Sequence, residues 1–112
     1  MRRGEIYFAD LSPTIGSEIN KRRPVLIVSN NANNRAANTV TVLPISSNIT
    51  RIFPFEVSIP STKSGLPKDS KILAQQIRTI SKQRIVTGKT GVLDSKLMQA
   101  VDAAMKLHLA LS

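Results

Sequence analysis

Cysteine and tryptophan are absent from this chain, and histidine occurs once. Without cysteine there is no disulfide framework and no thiolate metal site. A lone imidazole cannot build a metal centre, and no Asp/Glu group has ligand spacing, so neither metal nor other cofactor is expected. Acidic residues are scarce as well: seven face 16 Lys and Arg, a formal net charge of +9 in 112 residues. That excess calls for an acidic partner, either nucleic acid or an anionic membrane surface. The membrane reading is the weaker one. No apolar run approaches the ~20 residues of a spanning helix, and the cations are spread along the chain rather than gathered on one amphipathic helix. Met1-Arg2-Arg3 leads directly into a strand pattern, so no signal peptide is read and a cytosolic protein is expected.

What is present is a modest apolar content, 41%, enough for one core and a single domain over residues 1–112. The organising stretch is KRRPVLIVSN at 21–30. Lys21, Arg22 and Arg23 precede Pro24, and four consecutive apolar residues follow, three of them β-branched. Such a run reads as a strand buried on both faces, with Pro24 at its first position. Arg23 would then stand at the rim of a rigid core with a planar fork of donors, which reads equally as a fixed phosphate clamp or as a solvated strand-end charge.

The other elements follow in order. Residues 4–11 form a first strand ended by Ser12-Pro13. The loop 12–22 carries Gly16, Ser17, Glu18, Asn20 and two cations, and is longer than a hairpin needs. Residues 30–38 make a turn or short helix. Residues 39–45 are a third strand, in which Pro44 argues for an edge or a bulge. A polar loop, 46–51, leads to a strand at 55–59, and 70–80 holds a fifth strand, KILAQQIRTI. Residues 81–84 suggest one helical turn. Asp94 is a plausible cap for a C-terminal amphipathic helix with Leu97, Val101, Ala104, His108 and Leu111 on its apolar stripe. Five short strands and then a helix suggest a small, partly open barrel capped by the helix, mainly β.

Most chemistry-bearing side chains have an ordinary structural reading. His108 sits on the apolar stripe and reads as structural, not as a general base. Asp94 and Asp102 read as a cap and a solvated position. Glu56 reads as an outward-facing strand residue. Ser46 and Ser47 end a strand without a Gly-x-Ser-x-Gly elbow, which leaves a hydrolase triad unsupported. Phe55 reads as core, whereas Phe53, in a basic loop with Arg51, could equally pack or stack on a base.

Taken together, RRGEIYFADLSPTIGSE, RRPVLIVSN, FPFEV, the QIRTI of residues 76–80 and the final helix resemble the MazF/PemK (Kid) family of toxin endoribonucleases, over nearly the whole chain. The resemblance implies an SH3-like barrel of the CcdB/Kid type and a homodimer. It implies metal-independent, sequence-specific cutting of single-stranded messenger RNA to a 2′,3′-cyclic phosphate and a 5′-hydroxyl, and neutralisation by a cognate antitoxin. Matched residue by residue, it places the Arg-Pro-Val arginine at Arg23 and the strand-ending hydroxyl, often Thr, at Ser46, as the catalytic pair. Gly16, Ser17 and Glu18 match the first-loop Gly-Ser-Glu, and Gln76 with Arg78 match Gln-x-Arg. With Lys21, Arg22, Ser47, Asn48, Arg51 and Phe53 these make the expected RNA-binding set. Two departures stand out: Gln75 occupies a position that is acidic in some members, and Ser17 one that is His in some. Both lost side chains suit proton abstraction, which leaves Glu18 as base by elimination. Two rivals follow. A gyrase poison of the CcdB type would need a terminal Trp-Gly-Ile, and this chain ends Leu-Ala-Leu-Ser. A non-catalytic RNA-binding barrel fits the missing carboxylate and His.

Overall fold

Val25, Leu26 and Ile27 are fully buried, and they supply two separate cores. The computed structural model describes residues 1–18 and 21–112. In it, Val25 and Ile27 join Tyr7, Ala9, Leu11, Val40, Val42 and Ile80 on one side of the sheet. Leu26 and Val28 join Ile6, Leu43, Ile45, Ile59, Ile72 and Val101 on the other. A strand alternates its side chains between faces, so an unbroken apolar run is what a strand between two cores requires. Each such side chain contributes about 1.5–3 kcal/mol by leaving water.

Strands β1 (Glu5–Asp10), β2 (Arg22–Ile27), β3 (Thr39–Ser46), β4 (Glu56–Ile59), β5 (Ser70–Leu73), β6 (Arg78–Ser81) and β7 (Gly91–Val92) form one antiparallel sheet in the order β4-β5-β3-β2-β1-β7, with β6 also on β3. It curls into a half-barrel, and α3 (Ser95–Leu109) packs on β4 and the turn after β5. Two short helices, α1 (Asn31–Ala36) and α2 (Ser61–Ser64), fill connections. The expected barrel with a C-terminal helix is present, but with seven strands rather than about five among the described residues. β7 has only two residues, too few for a sequence pattern.

The other extra strand comes from a break in KILAQQIRTI. Ile45 of β3 pairs with Ile72, so an unbroken ladder would pair Val42 with residue 75; Val42 pairs with Arg78 instead. The register slips by three residues, and the 3₁₀ turn Ala74–Gln76 takes them up. That turn lifts Gln75 and Gln76 out of the sheet, which later matters for the site.

Strand β3 is central rather than an edge. It pairs with β2 on one side and with β5 and β6 on the other. Pro44 is tolerated because it falls where the partner changes from β6, last paired at Val42, to β5, first paired at Ile45. Strand β2 starts at Arg22, so Pro24 is its third residue and Arg23 lies inside the ladder opposite Ala9.

In α3 the Asp94 carboxylate caps the helix by accepting from the Leu97 amide at 2.9 Å. Met98, Val101 and Ala104 are its buried face. The expected stripe stops there: His108 and Leu111 are exposed, because the helix outruns the sheet and has nothing left to pack on. His108 instead tilts against Phe55, 6.0 Å between ring centres.

One contact in this frame admits no side chain. A Cβ on Gly91 would overlap the Ser64 carbonyl oxygen, and Gly65 opposite has a left-handed φ of 76° with its own Cβ position 2.5 Å from the Thr90 oxygen. Backbone, not a movable side chain, is in the way. Gly91→Ala is expected to cost about 3 kcal/mol, a fall in Tm on the order of 10 °C, measured by thermal unfolding. An unchanged Tm would mean that α2 and β7 are not held together here.

Candidate active site

The register of β2 on β3 decides where the two expected catalytic residues meet. Val25 pairs with Pro44, Leu26 with Leu43 and Ile27 with Val42. Continued two residues toward the strand ends, the same register sets Arg23 across from Ser46. By alternation both lie on the face of Val25, Ile27 and Val42, at its open end. Arg78, the partner of Val42, belongs to that face as well. The β2–β3 pairing itself ends at Val25 and Pro44; Arg23 is held by its pairing with Ala9 and Ser46 by its pairing with Lys71.

Arg23 is half-buried and borders a pocket of about 230 Å³ with Phe8, Pro24, Ile45, Ser47, Leu66, Pro67, Lys68 and Ser70. The pocket is apolar on its floor and has Arg23, Lys68 and two serines at its edge. Ser46 Oγ accepts the Asn48 amide at 3.1 Å. That bond fixes the oxygen and leaves the hydroxyl hydrogen to donate. Asn48 Oδ1 accepts from the Thr50 amide, so the start of the loop 47–55 is locally tied.

The first loop borders a different cavity, through Glu18. Gly16 has a left-handed φ of 59°, a conformation that favours glycine. Glu18 caps the turn, its carboxylate accepting from the Ile15 amide at 2.9 Å. Lys21, also left-handed, closes the loop by donating its amide to Ser12 Oγ at 2.9 Å. Asn20, which the sequence assigns to this loop, lies outside the described residues, as does Ile19. Three side chains from the far part of the chain hold the loop. Arg78 donates to the Leu11 carbonyl at 3.2 Å, Arg84 to the carbonyls of Asp10 and Ser12, and Gln76 to that of Ser17 at 3.4 Å. A second cavity of about 200 Å³ opens between Glu18, Gln75, Gln76, Ile77 and Arg78.

Arg22 does not join this rim. It is exposed, and its guanidinium lies 5.5 Å over the Phe8 ring. Arg51 and Phe53 also stand apart. Arg51 covers Phe53 at 4.7 Å, Phe53 stacks on Phe55 at 5.5 Å, and His108 ends the row. Phe53 is therefore exposed, 37%, and Phe55 half-buried rather than core.

The largest departure from the sequence reading is Glu56. It is buried, 8% exposed, not outward-facing. Its carboxylate accepts from the Phe53 amide at 2.9 Å, from Lys71 Nζ at 3.0 Å and from Gln75 Nε2 at 2.6 Å. Burial pushes this carboxyl up, but the Phe53 amide, Gln75 and Lys71 outweigh it and hold it below the ordinary carboxylate range. β4 is an edge strand whose first residue lies under the loop 47–55, so its alternation in sequence points the wrong way. Lys71 and Gln75 carry no sequence signal for this role either; both look like strand polar residues.

With this geometry established, comparison with known proteins is direct. The family model of the PemK-like, MazF-like toxin of type II toxin–antitoxin systems matches residues 2–109. The chain belongs to that family. Among its relatives, the endoribonuclease MazF9 of Mycobacterium tuberculosis is 43% identical across 99% of this chain and 98% of its own. The endoribonuclease EndoA of Bacillus subtilis is 45% identical across 99% and 96%. Among solved structures, a mycobacterial endoribonuclease in complex with its cognate antitoxin superposes with a TM-score of 0.83 at 26% identity, covering 100% of this chain and 97% of the other. Among the described residues no helix is long and apolar enough to cross a membrane.

Proposed function

We propose that this chain is the cytoplasmic toxin of a toxin–antitoxin pair, an endoribonuclease that cuts single-stranded messenger RNA at the Arg23–Ser46 rim. What supports the reading is the family match over residues 2–109, together with the register of β2 on β3, which continued to the strand ends would bring this guanidinium and this hydroxyl to one face. RNA brings its own nucleophile. Its 2′-oxygen attacks the adjacent phosphorus, the bond to the 5′-oxygen breaks, and a 2′,3′-cyclic phosphate and a 5′-hydroxyl result. One proton leaves the 2′-hydroxyl and one reaches the departing 5′-oxygen. The protein has to align the attack and stabilise the charge on the phosphorane oxygens. Arg23 supplies that charge and a donor toward the leaving oxygen; a guanidinium is donor-only and offers no acceptor with which to serve as base. Ser46 donates its hydroxyl hydrogen to a phosphate oxygen. Gly16, Ser17, Glu18, Lys21, Arg22, Ser47, Asn48, Arg51, Phe53, Gln76 and Arg78 line the path of the strand. A homodimer doubles that surface, and the cognate antitoxin occupies the same path.

The test is to incubate the purified protein with a mixed RNA pool and sequence the ends. Cyclic-phosphate and 5′-hydroxyl ends at one short sequence are expected. RNA that is bound but left intact would make the protein a binding module instead. Ser46→Ala is expected to lower kcat about 100-fold, the scale of one lost transition-state donor, with RNA affinity unchanged. Ser46→Thr should stay within a few-fold. Equal losses of rate and affinity would make Ser46 a ground-state contact.

A further inference from the structure

Glu56 is a buried carboxylate outside the catalytic rim, and every bond it makes leads to a wall of the groove. Through the Phe53 amide it holds the loop 47–55 directly. Lys71 is its ion-pair partner at 3.0 Å, and the same ammonium donates to the Arg51 carbonyl at 2.6 Å. Both side chains are largely withdrawn from solvent, 2% exposed for Glu56 and 12% for Lys71. The other carboxylate oxygen takes Gln75 Nε2. A carboxylate only accepts, so it selects the amide orientation of Gln75 and turns Oε1 away, where it is buried without a partner. Gln75 sits in the turn beside Gln76, whose side chain reaches the Ser17 carbonyl of the first loop. One carboxylate therefore joins the loop bearing Arg51 and Phe53 to the turn that braces residues 12–18.

We propose that Glu56, with Lys71 and Gln75, is a positioning and specificity-determining element of the RNA groove: it sets the spacing of the two loops between which the strand is read. The inference rests on the endoribonuclease reading above. It acts through substrate placement: Glu56 binds the loop 47–55 and Gln75, and Lys71, although it lies across the ladder from Ser46, has its ammonium turned to Glu56 and the Arg51 carbonyl. A strut with one oriented amide and two backbone anchors has a discrete geometry. Removing its charge leaves a buried ammonium facing a neutral amide, and the loop's other anchor there, the Arg51 carbonyl, is held by that same ammonium.

The experiment compares wild type, Glu56→Gln and the double variant Glu56→Gln/Lys71→Met, which removes both charges and protects the fold. Each is assayed on a mixed RNA pool for cleavage-site profile and on one oligonucleotide containing the wild-type site for KM and kcat. Tm and hydrogen exchange at the loop 47–55 are measured alongside. The expected result is a KM raised about tenfold, kcat within about threefold, a broadened site profile and faster exchange in the loop, in both variants if Glu56→Gln folds and in the double variant if it does not. A folded double variant with wild-type KM and profile overturns the proposal while leaving the activity standing. A wild type that cuts no RNA overturns the reading of the rim and this proposal with it.

Discussion

Arg23→Ala is expected to reduce cleavage about 1,000-fold or more while the protein stays folded. The magnitude follows from what the residue is asked to do. A phosphorane gathers negative charge on oxygens that a water-poor rim solvates badly, and one preorganised donor in such a place is worth about 10²–10³ in rate. Arg23 offers a charged fork, not a single neutral donor. The fold should survive, since Arg23 is only half-buried and the fully buried apolar residues of β2 begin at Val25. Arg23→Lys is the sharper test. Lysine keeps the charge but presents it as a point on a flexible stem, and cannot span two oxygens in one plane. It should therefore recover less than a tenth of wild-type kcat. Both variants are checked by single-turnover cleavage and by Tm. Near-normal cutting by the lysine variant would remove Arg23 from the chemistry and leave it as a binding cation.

The barrel and its C-terminal helix are legible in the sequence, while details of the frame around the candidate site are not. Arg23 stands out as a candidate because a proline, a buried strand and a preceding run of cations constrain it. Ser46 stands out only through resemblance, since a serine after a strand is ordinary turn chemistry. The three-residue slip at Ala74–Gln76 is not legible at all. It depends on β3 exchanging partners midway, a fact about strands 30 residues distant in sequence. Glu56 fails for a related reason. Alternation assigns a face within a strand, but a loop that folds over an edge strand can bury either face. His108 fails in the opposite sense: helical periodicity continues past the point where the sheet ends.

The same network bears on the absent acid. Glu56 is buried and committed to Gln75, Lys71 and the Phe53 amide, so it is not available as a base; Glu18 is exposed and bound by the Ile15 amide, and it stays a candidate by elimination.

RNA affinity should fall steeply with salt, and the antitoxin should compete with RNA for the same surface. The net charge of +9 overstates what the strand meets. Arg3 is paired with Asp102, Lys71 with Glu56, and Arg78, Arg84 and Lys82 donate to backbone carbonyls. Of the cations proposed to meet RNA, Lys21, Arg22, Arg23 and Arg51 would make about four phosphate contacts per chain, Arg22 and Arg51 at a distance from the Arg23–Ser46 pair. For a single strand, log affinity falls by about 0.7 per log salt for each phosphate neutralised. Four contacts give a slope near −2.8, so raising salt from about 50 to about 500 mM should weaken binding roughly 600-fold. With only four aromatic residues in the chain, stacking offers little salt-independent affinity to soften that slope. A groove with this charge suits an acidic, disordered antitoxin segment that orders on binding, and that segment should displace RNA rather than sit beside it. The measurements are mass in solution, the salt slope for an uncleavable RNA held by fluorescence anisotropy, and displacement of that RNA by an acidic antitoxin peptide. A dimer, a slope between about −2 and −4 and full displacement are expected. A slope near zero, a fully active monomer, or a ternary complex of toxin, peptide and RNA would show that backbone charge in a shared groove is not what binds the strand.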